Sequence, residues 1–251
     1  MHGEGVGELG LALTPDQVDE LMERASRALV ETQYFEAERL GMRALSAARE
    51  ALDFERMARI CLPLQEARRQ RREQALDAGP VARVRSLHDL PRPLRPGCYL
   101  VQPPLIGRDG RRIRETAERK AVPACVLTRE PLTRSGKWPV VAVGAMVART
   151  QVDPPWPVER VEGSPSKDDD PRVPPSEWFA AASEALGDAA IARVLPTDHP
   201  HHRVDDLLDS LDAHPEHEKL HQALAAACRV AIGTEEPVLP RRRGIDDPFS
   251  F

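Results

Sequence analysis

CYLVQPPLIGRDGRRIRETAERKAVPACVLT, residues 98–128, decides the fold class. It opens on the apolar run Cys98-Tyr99-Leu100-Val101, passes a loop with Pro103, Pro104, Gly107 and Gly110, and closes on a second apolar run, 122–128. Between the runs, 111–120 is charged, with Ile113 and Ala117 one helical turn apart on one face. Strand, helix and strand within about thirty residues make a βαβ unit, so the two strands are expected to lie parallel. Ser135-Gly136 then turns the chain into a third apolar run, 138–147. Its Val140-Val141-Ala142-Val143 stretch does not alternate, which predicts burial on both faces. The spacing thus predicts a small α/β module of three strands at 97–153.

Helices flank this module. Thr14-Pro15-Asp16-Gln17 is a start signal: Thr14 suits the N-cap, Pro15 the first helical position, and Gln17 the return bond of a capping box. Val18, Leu21, Met22, Ala25, Ala28 and Leu29 follow at helical spacing, and the pattern breaks near Thr32. A second helix is predicted over 34–50, with Phe35, Ala37, Leu40, Ala44, Leu45 and Ala48 on its apolar stripe. A third is predicted over 53–76, kinked or split at Pro63, which removes a bond to the carbonyl of Arg59. Toward the C-terminus, Ser176 can cap a helix that buries Trp178, Phe179, Ala182 and Leu186 and ends or kinks at Gly187-Asp188. A histidine-rich loop at 198–203, a short helix at 204–211 and a last helix from Pro215 to just before Gly233 complete the pattern.

The expected class is α+β. Its parts are a flexible leader 1–13, a helical segment 14–78, a connector 79–96, the α/β module 97–153, a mobile proline-rich linker 154–175, C-terminal helices 176–233 and a disordered tail 234–251. The chain has 24 prolines, and their clusters place the connector, the linker and the tail.

Within the first hairpin, Tyr34-x-x-Ala37-x-x-x-Gly41-x-x-Ala44-Leu45 resembles the second half of a tetratricopeptide repeat. Leu21 and Ala28 fall where the first helix of such a repeat carries its packing residues, and no glycine marks the turn between the helices. The resemblance covers one repeat, 18–53, and implies a helical hairpin that binds peptides.

Composition narrows the function classes. A net charge of −5 argues against a protein that coats nucleic acid. No apolar run approaches the ~18 residues of a membrane span, and the first residues lack the basic start of a signal peptide. Cys61, Cys98, Cys125 and Cys228 are dispersed, which reads as reduced thiols in a cytoplasmic protein.

The sharpest motif is His217-Glu218-Lys219-Leu220-His221, which resembles the H-E-x-x-H core of zinc peptidases. On one helix, His217 and His221 would share a face as ligands and Glu218 would act as general base. Lys219 inside the motif, Pro215 ahead of it and the lack of a third ligand downstream oppose that reading. His214, His217 and His221 also form a stripe, and with His199, His201 and His202 they form a cluster able to take zinc or respond to pH. The tract Arg68-Arg69-Gln70-Arg71-Arg72 offers a basic patch without interleaved aromatics. Gly107-Arg108-Asp109-Gly110 matches neither phosphate-binding motif and reads as a glycine turn.

The resulting expectation is a non-enzymatic protein–protein interaction module without a cofactor or a catalytic residue. Its partner contacts are expected at Tyr34, Arg68, Arg69, Arg71 and Arg72. The alternatives are a zinc-dependent hydrolase using Glu218 with His214, His217 and His221, and a nucleic-acid-associated factor using the arginine tract.

Overall fold

The computed structural model describes residues 13–157 and 172–241. The leader to residue 12, the linker at 158–171 and the tail from 242 lie outside these residues. Three helices open the chain: α1 (Pro15–Val30), α2 (Tyr34–Glu50) and α3 (Phe54–Asp77). The capping box forms as expected, with Gln17 N–H donating to the Thr14 hydroxyl at 3.3 Å and Thr14 N–H to Gln17 Oε1 at 2.9 Å.

Both inter-helix turns close without glycine. Thr32 and Leu52 adopt φ of 58° and 53°, the left-handed conformation that glycine usually supplies. The amides of Gln33 and Asp53 reach back to the carbonyls of Ala28 and Ala48 at 2.8 Å, and those of Thr32 and Leu52 to Leu29 and Arg49. These are paired Schellman bonds, and they satisfy the last carbonyls of α1 and α2.

Pro63 neither splits nor ends α3, which runs unbroken from Phe54 to Asp77. Arg59, whose carbonyl loses its helical partner, is exposed, so solvent can replace the missing amide. Ile60, Cys61 and Leu64 around the proline are buried in the main core and hold the helix in place.

The sheet has five strands among the described residues, in the order β1 (Ala82–Val84), β2 (Gly97–Val101), β3 (Ala124–Arg129), β4 (Trp138–Val143) and β5 (Val147–Val152). β1, β2 and β3 are parallel, as the βαβ reading requires, and β4 and β5 add on antiparallel. Two strands exceed the expected three. The connector supplies β1, and the run at 138–147 is a strand that turns at 144–146 into β5, with Gly144 N–H donating to Met146 O at 2.8 Å.

Side chains alternate across β2. Tyr99 and Val101 join Ile113 and Ala117 of the crossover helix α4 (Gly107–Arg119) in a small core, whereas Cys98 and Leu100 face the main core. Helix α4 begins at Gly107, earlier than expected, because Asp109 accepts from the Ile106 amide at 3.0 Å and caps the first turn. A Cβ on Gly110 would stand 2.2 Å from the Thr128 hydroxyl, and one on Gly107 2.7 Å from Val143. These glycines therefore set the approach of helix to sheet and do not form a loop.

The last helices are α5 (Ser176–Ala192), α6 (Pro200–Ala213) and α7 (Glu218–Ala231). α5 runs straight through Gly187, and α6 absorbs most of the expected histidine loop. α7 packs on α3 and α6, with Leu220, Leu224, Ala227 and Cys228 in the main core. The tail folds back as far as 241, where Arg241 pairs with Asp206 and, at 2.7 Å, with Asp209.

Trp138, Trp156 and Trp178 meet edge to face, with centroids 5.8 and 5.4 Å apart around Trp138. Arg129 lies over the Trp138 ring and Arg172 over Trp156. Among the described residues no helix is long and apolar enough to cross a membrane.

Candidate functional site

α2, α3, α4 and the turn between α6 and α7 enclose a cleft of about 390 Å³. Its floor is apolar: Met42 and Leu45 from α2, Leu208 and Leu211 from α6, and Ala124 and Cys125 from β3. Its rim is charged with both signs, and several of these groups are already paired. Arg111 bonds Glu115 at 2.8 Å and Arg39 bonds Glu36 at 2.7 Å. Arg71 pairs with Glu118 at 2.7 Å and with Glu38, and stacks 3.8 Å over the Phe35 ring.

Arg114 donates to the carbonyls of Ala213, Asp212 and Val143. It thus caps the C-terminal end of α6, where a cation complements the helix dipole. Asp212 in turn accepts from Ala145 N–H at 2.6 Å, which latches the β4–β5 turn to α6. The latch is close enough that a Cβ on Gly144 would come within 2.4 Å of the Ala213 backbone.

Below the cleft lies a buried ionic chain. Arg68 is 6% exposed, donates from Nε to Glu38 at 2.7 Å and places Nη1 3.2 Å from His221 Nε2. A guanidinium only donates and a carbonyl only accepts. His221 therefore carries its proton on Nδ1, which donates to His217 O at 3.0 Å, and accepts from Arg68 on Nε2. Both ring nitrogens are thus engaged in a neutral imidazole. Burial, reinforced by the Arg68 charge, pushes the His221 pKa down to about 3. Burial also lowers Arg68 to about 10, which leaves it protonated at neutral pH.

His217 is not on the helix. It is the N-cap of α7, its Nδ1 accepting from Leu220 N–H at 3.2 Å. The expected start at Pro215 is off by three positions, so His214, His217 and His221 do not form a stripe on one helix. With Nδ1 accepting, the proton sits on Nε2, which lies 3.3 Å from Glu184 and from Asp188 without an aligned hydrogen bond to either. A cation bound at Nε2 would need that proton moved to Nδ1 at the expense of the cap. It would also compete with Arg72 on Glu184 and Lys219 on Asp188, both at 2.9 Å.

His214 is buried and donates from Nε2 to Ser183 O at 2.9 Å. Its ring stacks on His217 at 5.8 Å. Together the two histidines seat the α6–α7 turn on α5, where a Cβ on Gly187 would fall 2.2 Å from the His217 ring. Glu218, the expected base, opens α7 with Arg72 at 3.6 Å and Gln65 at 3.4 Å. His199 caps α6 through the His201 amide, and His201 is buried 4.6 Å from the Phe54 ring. Among the described residues no three His, Cys, Asp or Glu side chains are arranged to hold a metal ion.

Of the residues expected to meet a partner, Arg68, Arg71 and Arg72 line the cleft, though Arg68 lies beneath its surface. Arg69 faces away, paired with Glu66 and Glu73, and Tyr34 lies outside the lining. The basic tract is thus neutralised along its length. Sequence reasoning did not reach Glu38, Arg111, Arg114 or Asp212, because their roles exist only once distant elements meet; the one local signal was the charged face of α4. The four cysteines are free and buried. Cys125 on the floor is opposite Cys98 in the β2–β3 register, and the Cys98 thiol and burial raise its pKa well above the ordinary thiol range. Such a thiol is a poor nucleophile.

No family model matches the chain, and comparison with curated proteins and with solved structures returns no match.

Proposed function

We propose that the chain is a cytoplasmic protein–protein interaction module that receives a polypeptide segment in the cleft between α2, α3, α4 and the α6–α7 turn. The observation that carries this reading is the pairing of an apolar floor with a rim of both charge signs, in which Arg71, Arg39 and Arg111 already hold acidic partners. An apolar side chain of the partner gains burial on Met42, Leu45, Leu208 and Leu211. The surrounding ion pairs exchange partners with the segment's own charged groups without exposing a lone buried charge, which favours selectivity over raw affinity. The likeness of α1 and α2 to a tetratricopeptide hairpin, a class that binds peptides, supports the same reading.

The test is a photo-crosslinking amino acid placed at Met42, which is 40% exposed in the cleft wall, with Val30, 84% exposed on α1, as control. Irradiation of native cells is expected to give one discrete protein adduct from position 42 and none from position 30. That adduct should be lost in an Arg39→Glu/Arg111→Glu variant that keeps its far-ultraviolet spectrum. The same adducts from both positions, or an adduct indifferent to the two reversals, would remove the cleft from consideration.

A further inference from the structure

On the opposite side of the sheet from the main core, the connector 85–96 arches over α4 and leaves a second cavity of about 400 Å³. This is within the range of small-molecule sites. Its walls are Leu87, Leu90 and Leu94 of the connector and Ile113 of α4, and Tyr99 anchors the arch by donating to Arg95 O at 2.6 Å.

The charge pattern differs from that of the cleft. Arg92, Arg112 and Lys120 stand in the lining, and no carboxylate does. The nearby acids point elsewhere. Asp89 accepts from the Arg85 and Ser86 amides, Glu115 bonds Arg111 and Glu118 bonds Arg71. Asp109 is the exception: it caps α4 and also pairs with Arg112 at 3.7 Å. Among the described residues Arg92 meets the His88 ring at 3.5 Å, and no acid pairs with Arg92 or Lys120. An apolar groove edged by two cations that no carboxylate among the described residues pairs, Arg92 and Lys120, is complementary to a molecule with an alkyl body and one anionic end.

We propose that this cavity binds a free medium-chain fatty carboxylate, its alkyl chain among Leu87, Leu90, Leu94 and Ile113 and its carboxylate at the mouth between Arg92, Arg112 and Lys120. The site is separate from the cleft and does not depend on the function assigned there.

The test is calorimetric titration of the full chain with decanoate below its micelle concentration, with decanol as the uncharged counterpart. Decanoate is expected to bind with unit stoichiometry and at least tenfold tighter than decanol. An Arg92→Glu/Lys120→Glu variant should lose at least tenfold for decanoate and leave decanol unchanged, and Arg92→Gln/Lys120→Gln serves if the reversal impairs folding. Leu87→Trp, which fills the chamber, should abolish both. Equal affinity for acid and alcohol, indifference to the charge changes, or no binding of either ligand overturns the proposal. So does capture of phosphatidylglycerol vesicles without binding of free decanoate, which would assign the mouth to a lipid surface.

Discussion

Replacing Glu38 by Gln tests whether the buried ionic chain beneath the cleft holds the helices to the rest of the molecule. The Glu38 side chain is 8% exposed, and its partners Arg68 and Arg71 are 7% and 13% exposed. Removing the carboxylate leaves the Arg68 charge in a low-dielectric site with a neutral imidazole as its remaining close ring partner. Breaking a buried pair from one side costs about 3–5 kcal/mol. For a chain of this size each kcal/mol moves the melting temperature by about 2–4 °C, so the expected fall is roughly 6–20 °C. Arg71 keeps Glu118 and is less affected. The joint variant Glu38→Leu/Arg68→Met removes both charges and should fall within about 2 kcal/mol of the parent. Urea melts followed by circular dichroism on the parent, Glu38→Leu, Arg68→Met and the double variant form a double-mutant cycle. Additive losses, or a Glu38→Gln variant within about 0.5 kcal/mol of the parent, would refute the reasoning.

Thr32→Gly should stabilise the protein by about 1 kcal/mol, because an exposed β-branched residue holds a left-handed conformation there; thermal melts check it. Gly187→Ala should destabilise by about 1–3 kcal/mol through the clash with the His217 ring, and Gly187→Ala/His217→Ala should recover part of the loss in the same melts. Stability should fall on acidification between pH 6.5 and about 3. His221 has a folded pKa below its unfolded value, so the unfolded chain binds the extra proton and gains from acid; His214 and His201 are shifted in the same direction by burial. For His221 the slope should reach about 1 kcal/mol per pH unit and flatten in His221→Gln, as read from urea midpoints at a series of pH values.

β2, β3 and the first three helices were legible because each is a local pattern. Continuous apolar runs of strand length mark β2 and β3, and the Thr14 box marks the start of α1. The edge strands were not. β1 is three residues long, and only Val84 in it is buried. β5, Val-Ala-Arg-Thr-Gln-Val, mixes polarity on a half-covered edge. The turn before it, Gly144-Ala145-Met146, carries no Asn-Gly or Asp-Gly signal, since a carboxylate from α6 holds it from outside. The basic tract was visible in sequence, and so were Glu66 and Glu73 beside Arg69, but the acids that neutralise Arg68, Arg71 and Arg72 come from α2, α4, α5 and α7. The histidine motif misled for a related reason. A histidine that caps a helix and a histidine inside one differ by a single turn of backbone, and only the contact with α5 decides between them.

Because every indole of the chain belongs to the group around Trp138, intrinsic emission samples one junction, where β4 and β5 meet α5. The first three helices hold no tryptophan and are dark under selective indole excitation. Comparing emission with helical ellipticity along one denaturation curve therefore separates the melting of that junction from the melting of the N-terminal helices. Coincident midpoints would mean that the two halves cooperate across the charged seam between them.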